Sequence, residues 1–238
     1  GWQQLTPDMQ VASAPYALNA EFARTSPNLQ RIALLKWYTA ISTTQSNFAV
    51  GVYPEGIAFD GANIWVTNAG SGSVSVLRAS DGYHVMTLTV GTWPYGIAFD
   101  GANMWVANQS SNGNVSVLRA SDGFHVMTPT VGSYPYGIAF DGANMWVVNW
   151  GSNTVSVLRA SDGYHVMTPT VGAYPKGIAF DGANMGVSNQ GSNTVSVLRA
   201  GDGFEVMTPT VGSGPEGIAF DGANMWVANY QDSTVSVL

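Results

Sequence analysis

The feature that most constrains this chain is a phrase of about 40 residues that recurs five times from Tyr53 onward. The glycine of its "GIAFDG" core is spaced by 40, 41, 40 and 40 residues, at Gly56, Gly96, Gly137, Gly177 and Gly217. A period near 40 is typical of helical HEAT repeats and of propeller blades. Each unit is rich in Gly, Val, Thr, Trp and Tyr and has no helical apolar stripe, so the composition favours strands.

Within the third unit the pattern predicts four strands, at 137–140, 145–149, 154–159 and 164–171. The "DGAN" and "SDG" phrases between them are turn signals, because Asp, Asn and Gly tolerate tight-turn backbone angles. Pro169 falls inside the fourth predicted strand and cannot donate a ladder hydrogen bond. We therefore place the fourth strand at the outer edge of its sheet.

The two ends of the repeat array predict how it closes. The fifth unit stops after its third strand, whereas "SNFAVG" at 46–51 matches the end of a fourth strand such as "MTLTVG" at 86–91. The sequence thus predicts an all-β fold, a closed five-bladed β-propeller of four-stranded blades whose last blade is completed by this N-terminal strand. The alternative is an incomplete ring that needs a second chain. The predicted domains are a propeller at 46–238 and a non-repeating arm at 1–45.

Two phrases of the repeat resemble a known family. "PYGIAFDGANMWVAN" and "NTVSVLRASDG" resemble the YVTN and NHL-like propeller repeats of bacterial surface and secreted proteins, over about 48–238. "LTPDMQVASAPYALNA" at 5–20 resembles the "LTPRQ…VPYALNA" linker that follows adhesin-like or fibre-like domains of large bacterial surface proteins. The resemblance implies an extracellular or cell-surface location. Because the sequence begins at Gly1 rather than Met, we expect a processed form or a fragment of a longer chain.

Composition excludes several partner classes. Eight Lys and Arg against fifteen Asp and Glu give a net charge of −7 and no basic stripe, which argues against nucleic acid. There is no cysteine, so disulfides and thiolate metal sites are excluded. No apolar run approaches the roughly 18 residues of a membrane span.

The candidate catalytic groups do not converge in the predicted fold. His84, His125 and His165 occupy one slot of successive fourth strands, which lie far apart in a propeller, and the "FDGAN" acids are explained as turn residues. Streptogramin-lyase-like propellers share the "GIA…DG…W" phrase, but they have seven blades and a His- and Glu-based magnesium site. We therefore predict a protein that is not an enzyme, without metal or cofactor, and keep a lyase-like enzyme as an alternative.

Differences between the five units point to a binding face. The connection into each first strand and the loop after each second strand vary, and in a four-stranded blade both emerge on the same face. Exposed aromatic rings there suit sugar rings or a protein partner. The predicted ligand- or partner-binding residues are Tyr53, Trp93, Tyr95, Tyr134, Tyr136, Trp150, Tyr174, Lys176 and Tyr230.

The arm supplies the second predicted interaction. Its apolar run at 29–41 contains the candidate assembly residues Ile32, Leu34, Leu35 and Trp37, which would be sticky if exposed. An arm that docks on a neighbouring subunit makes a head-to-tail contact that can propagate into an oligomer or filament. The predicted function is a non-enzymatic extracellular interaction or structural module that self-assembles through this arm. The alternative is a lectin- or adhesin-like binder of carbohydrate or protein.

One difference between the repeat units concerns the core. Gly186 stands where the other four units have a tryptophan, namely Trp65, Trp105, Trp146 and Trp226. Those tryptophans are predicted to wedge between blades. At Gly186 either the neighbouring atoms collapse into the gap or another group fills it.

Overall fold

The computed structural model describes residues 47–238, and residues 48–238 form one compact unit. The predicted arm residues Ile32, Leu34, Leu35 and Trp37 lie outside the described residues. Five antiparallel sheets follow one another along the chain. Sheet 1 contains β1 (Pro54–Phe59), β2 (Asn63–Asn68), β3 (Ser73–Arg78) and β4 (His84–Thr89), with one 3-10 turn at Ala69–Ser71.

The later sheets repeat this order. Sheet 2 contains β5 (Pro94–Phe99), β6 (Asn103–Asn108), β7 (Asn114–Arg119) and β8 (His125–Met127). Sheet 3 contains β9 (Pro135–Phe140), β10 (Asn144–Asn149), β11 (Thr154–Arg159) and β12 (His165–Met167). Sheet 4 contains β13 (Pro175–Phe180), β14 (Asn184–Asn189), β15 (Thr194–Arg199) and β16 (Glu205–Met207). Sheet 5 has three strands, β17 (Pro215–Phe220), β18 (Met225–Asn229) and β19 (Thr234–Val237).

In each four-stranded sheet the strands lie side by side in chain order. The first strands of neighbouring sheets contact one another, from β1 through β5, β9 and β13 to β17, so they form the inner wall of the array. The fourth strands lie at the opposite edge of each sheet. The prediction of repeated antiparallel sheets is thus confirmed, and the arrangement is that of a β-propeller-like fold.

The outer strands are shorter than the sequence pattern predicts, and the difference is largest in sheets 2 to 4. β4 has six residues, whereas β8, β12 and β16 have three. Sheets 2 to 4 carry Pro129, Pro169 and Pro209 where sheet 1 has Leu88. Proline offers no N–H to the ladder, although its carbonyl still accepts a bond, as from the Val155 amide to Pro169 at 2.9 Å. The proline therefore lies at an outer edge, as predicted, and ends the regular strand early.

The hydrophobic core consists of clusters between sheets rather than within them. Sheets 1 to 3 each turn a tryptophan face towards the next sheet, which meets it with a Met/Val/Leu face. Between sheets 2 and 3, for example, Trp105 and Val117 pack with Met145 and Leu158, all fully buried. This alternation follows from the period of two along a strand. A repeat unit therefore needs a neighbour on both sides.

The aspartate of each "FDGAN" phrase holds its turn, as predicted, and in the four units that have a tryptophan it also anchors the indole. Asp141 Oδ1 accepts hydrogen bonds from the Ala143 and Asn144 amides at 2.7 and 2.6 Å. Its Oδ2 accepts the Trp146 indole N–H at 2.7 Å, a contact that the turn signal alone did not reveal. In sheet 5 the indole of Trp226 and two backbone amides lower the pKa of Asp221 to about 2.

The two terminal sheets each leave one face open. Trp226 of sheet 5 is 43% exposed, whereas the equivalent Trp65, Trp105 and Trp146 are 0% exposed. Ile57 of sheet 1 is 69% exposed, against 9% for its equivalent Ile97. Residues 47–51 form no strand with β19, so the predicted completion of the last sheet is not seen within the described residues. The predicted ring closure is likewise not formed among them.

At Gly186 the neighbouring side chains occupy the space of the missing tryptophan. A Cβ atom at this position would lie 3.0 Å from Ile218 Cδ1 and 3.2 Å from Met225 Cε. Of the two predicted outcomes the structure shows the collapse of neighbouring atoms. The carboxylate of Asp181 correspondingly keeps its backbone bonds to Ala183 and Asn184 without an indole donor.

We expect Gly186→Trp to destabilise the fold although tryptophan is the residue of the other four units. Ile218 and Met225 already fill the gap, and overpacking costs about 1–3 kcal/mol. Chemical denaturation would measure the loss, with Gly186→Ala as the control for a small added group. A Gly186→Trp variant more stable than the parent would contradict the filled gap.

We also expect the fold to lose stability as the pH falls from about 4 to about 2. The pKa of Asp221 is about 2 in the folded protein, below that of an unfolded aspartate, so its contribution is present above pH 4 and is lost as the carboxylate protonates. Asp60 and Asp181 have lowered pKa values as well, since their hydrogen bonds together outweigh the opposing effect of burial. Thermal melts of the parent and of Asp221→Asn across this range provide the test. The variant should show the smaller loss, and equal losses would contradict a role for this carboxylate.

Candidate ligand-binding face

The two variable connections of each sheet lie side by side. Backbone hydrogen bonds join them, from Gln109 N to Trp93 O at 3.0 Å and from Trp150 N to Tyr134 O at 3.0 Å. Sheet 4 repeats the bond from Gln190 N to Tyr174 O at 3.1 Å. The loops that differ between units therefore form one face of each sheet, as the sequence predicted.

An aromatic residue in a left-handed conformation marks this face in four of the five sheets. Tyr53, Trp93, Tyr134 and Tyr174 have φ of 53°, 50°, 52° and 51°. Sheet 5 has Gly214 at the same place, with φ of 63°. The left-handed backbone conformation costs a residue other than glycine roughly 1–2 kcal/mol. Four aromatic residues therefore occupy a position that only glycine adopts without strain.

These four rings are exposed and lie over the neighbouring loop. Their exposed fractions run from 41% for Tyr134 to 64% for Tyr53. The rings of Tyr134 and Tyr174 rest on Gly151 and Gly191, where any side chain would overlap the ring. One side of each ring thus packs on the neighbouring loop, and the other side is exposed to solvent.

Trp150 joins two of these rings into a cluster that spans sheets 3 and 4. Its ring is stacked with Tyr174 at a centroid distance of 5.0 Å and an interplanar angle of 28°. It meets Tyr134 edge-on at 6.2 Å and 88°. We call Tyr134, Trp150 and Tyr174 the rim cluster. Such offset and edge-to-face contacts stabilise each ring in a fixed orientation.

A second group of side chains lines a concave cavity of about 410 Å³ at the inner wall. Its members are the residues that follow the proline at the start of each first strand, namely Glu55, Tyr95, Tyr136, Lys176 and Glu216. Tyr95 and Tyr136 are stacked at 4.6 Å, and the Lys176 ammonium lies 5.4 Å from the centre of the Tyr136 ring. We call this the inner cavity.

Charges in the inner cavity are partly paired. Lys176 Nζ donates to Glu216 Oε1 at 2.7 Å, and the Gln190 amide donates to the same oxygen at 2.6 Å. Burial, with the nearby Tyr95 and two glutamates, raises the pKa of Tyr136 to about 12. Burial and the Glu55 carboxylate also raise the pKa of Tyr95. Both phenols therefore stay protonated at neutral pH and can donate a hydrogen bond.

The nine predicted site residues thus separate into two places. Tyr95, Tyr136 and Lys176 line the inner cavity, whereas the remaining six, Tyr53, Trp93, Tyr134, Trp150, Tyr174 and Tyr230, belong to the variable connections. Glu55 and Glu216 complete the inner cavity and were not among the predicted site residues. The signal that identifies them is their slot in the "P-x-G" phrase, which they share with Tyr95 and Tyr136.

The asparagines that end the second strands are buried supports of the loops. Asn149 is fully buried, and its amide donates to the Thr154 and Ser156 hydroxyls at 3.1 and 3.0 Å. In sheet 1, Asn68 Oδ1 also accepts the Gly51 amide at 3.0 Å. These side chains hold the connections in place and do not reach the solvent side of the face.

Groups suited to metal binding are dispersed. Residues 47–238 contain no set of three or more His, Asp or Glu side chains placed to share a metal ion. His125 and His165 bond to Thr128 and Thr168, each one residue beyond the end of the same strand, at 3.0 Å. Within the part of the chain that the structure describes, no helix is long and apolar enough to cross a membrane.

Comparison with known proteins supports the fold alone. No family model matches the chain, and no curated protein matches it either. A functionally unknown protein from Desulfotomaculum acetoxidans DSM 771 has a similar structure, with a TM-score of 0.67 and 16% identity over 80% of this chain and 70% of that one. Hydrazine synthase of Kuenenia stuttgartiensis matches at a TM-score of 0.47 and 16% identity, over 82% of this chain and 98% of that one.

We expect Tyr174→Gly to be more stable than Tyr174→Ala. Both variants lose the ring, but only glycine adopts the left-handed backbone without a Cβ penalty, so the difference should reach up to about 1 kcal/mol. Denaturant unfolding of the two variants measures it directly. An alanine variant of equal or greater stability would show that the position is not strained.

Proposed function

We propose that this protein is a non-enzymatic binding module whose ligand is a carbohydrate held by the rim cluster and its neighbouring loop aromatics. The observation that carries the proposal is the set of exposed rings kept at a left-handed backbone position in four sheets. Strain of this kind persists where the surrounding structure enforces it and is concentrated at functional sites. A ring that is held in a strained position and is still exposed to solvent is best explained by a ligand that it binds.

Sugar rings suit this surface because their C–H faces pack on aromatic planes. Tyr134, Trp150 and Tyr174 already fix one another's orientation, so little side-chain entropy is lost on binding. The loops around them also carry hydroxyl groups, such as that of Ser192, that can bond sugar hydroxyls. Because the loops differ between successive sheets, each sheet would bind a different sugar unit of a longer glycan.

The inner cavity supports binding rather than catalysis. Its two tyrosines remain protonated at neutral pH, and its lysine forms an ion pair with Glu216. The acids of the "DGAN" turns are occupied by their own backbone amides. The lyase-like alternative lacks support from these groups, because the three histidines lie on separate outer strands.

The location and assembly of the module are proposals from the sequence. The YVTN/NHL-like repeats and the linker-like segment at 5–20 support a bacterial extracellular or cell-surface protein. Self-association through the arm at 1–45, with Ile32, Leu34, Leu35 and Trp37, is proposed on the apolar character of that segment. A five-bladed ring closed by residues 46–51 also stays a prediction. This prediction is supported by the position of Phe48. Its ring packs against Gly82 of sheet 1 in the way that the Leu88 side chain packs against Gly123 of sheet 2.

We expect a glycan array probed with the protein to give discrete positives that are lost in a Trp150→Ala, Tyr174→Ala double variant. Removing two stacked rings should weaken binding by roughly tenfold or more. Titration of the best glycan by calorimetry gives the affinity of each variant.

The matched control is Tyr164→Ala, which removes a more exposed ring at the turn before β12, away from the variable loops. The control should bind as the parent does. A double variant with the parent's affinity, or an array without any positive, would refute the proposed function.

A further inference from the structure

The side chains of the inner cavity stand in a fixed order, one from the first strand of each sheet. The first strands contact one another in chain order, so each of these side chains has its neighbours in the adjacent sheets. The rest of the lining is one glycine and one isoleucine from each of the same strands. The order of the polar and aromatic members is carboxylate, phenol, phenol, ammonium and carboxylate, in Glu55, Tyr95, Tyr136, Lys176 and Glu216.

One half of this order shows how the cavity holds a positive charge. The Lys176 ammonium lies 5.4 Å from the centre of the Tyr136 ring and donates to Glu216 Oε1 at 2.7 Å. Only 18% of the Lys176 side chain is exposed. An ammonium within about 6 Å of an aromatic ring is attracted by the negative face of the ring, and the attraction grows as water is removed. A ring and a carboxylate together thus stabilise a cation that is largely withdrawn from solvent.

The other half offers the same two groups without a cation. Tyr95 is stacked on Tyr136 and belongs to β5, whose other neighbour is β1 with Glu55. Burial and the Glu55 carboxylate raise the pKa of Tyr95, so the carboxylate lies close enough to act on this phenol. The Glu55 side chain is exposed, and none of the ion pairs formed among residues 47–238 involves it. A ring beside a carboxylate therefore lacks here the ammonium that Lys176 supplies in the other half.

The charge and the size of the inner cavity indicate which class of ligand it suits. Both phenols are protonated at neutral pH, so two carboxylates and one ammonium leave one negative charge. An anion would have to displace Glu216 from Lys176 and would face Glu55. A bare metal ion would gain one unpaired carboxylate but nothing from the ring beside it, whereas an organic ammonium gains both. The volume of about 410 Å³ falls in the range of small-molecule sites, roughly 300–1,000 Å³.

We propose that the inner cavity binds a small primary amine, whose ammonium lies between the Tyr95 ring and the Glu55 carboxylate. This placement repeats, on the other side of the tyrosine pair, the environment of the Lys176 ammonium. The two phenol hydroxyls can donate to an acceptor on the body of the ligand, and the isoleucines of the lining are available to its aliphatic part. The proposal does not rest on the carbohydrate site, because the rim cluster is not part of the lining of the inner cavity.

The test is a titration of the full chain with n-butylamine at neutral pH, followed by saturation-transfer NMR of the amine. The parent should bind n-butylamine and should bind n-butanol, which has the same body without the charge, much more weakly. Glu55→Gln should weaken amine binding by roughly fivefold or more, since it removes the charge partner and keeps the shape. Tyr95→Leu should weaken it to a similar extent, whereas Tyr95→Phe keeps the ring face and should bind nearly as the parent does.

The matched control is Glu205→Gln, which removes the same charge from an exposed carboxylate on the outer strand β16. This variant should bind the amine like the parent, and thermal melts of all variants report whether the fold is kept. The Trp150→Ala, Tyr174→Ala double variant should also keep amine binding, so failure of the carbohydrate proposal and failure of this one are distinguishable. A parent that does not bind n-butylamine, equal binding of n-butanol, or a Glu55→Gln variant with the parent's affinity would overturn the proposal.

Discussion

The structure depends on one contact, the packing of a tryptophan face of one sheet against the aliphatic face of the next. A single four-stranded sheet of this chain has apolar residues on both faces and cannot bury either alone. The indole of Trp146 is fixed from within its own sheet by the Asp141 carboxylate, so it reaches the next sheet already oriented. Repetition of this contact aligns the first strands and thereby creates the inner cavity. The loop face, in turn, is positioned by these packed sheets.

Much of this fold could be predicted from the sequence because a repeat with a period near 40 leaves few architectures. The turn phrases located the strands to within a few residues, and Pro169 correctly indicated an outer edge. The length of the outer strand was less predictable, since a proline removes a donor without preventing its carbonyl from bonding. Ring closure depends on the angle between successive sheets. That angle arises from side-chain packing over the whole array, and no local pattern specifies it.

The candidate site was predictable only in part, for a geometric reason. Residues Tyr134 and Tyr136 are neighbours in the phrase "SYPYG", yet the proline between them turns one towards the rim and the other into the inner cavity. Variation between the repeats identified both positions, but it could not show that they lie in two different places of the structure. The role of Gly214 was also hidden, because its significance appears only when four aromatic equivalents share its left-handed backbone. Glu55 and Glu216 line the same cavity although they belong to the first and the last sheet, because the order of the sheets brings their first strands around it.

The prolines of the outer strands have a consequence for contacts between this protein and other chains. Pro129, Pro169 and Pro209 interrupt the outer edges of sheets 2 to 4, while sheet 1 has a regular six-residue edge at β4. Interrupted edges offer a poor template for strand addition by another chain. Sideways aggregation is thus disfavoured along most of the circumference, a form of protection that a protein of many nearly identical strands needs.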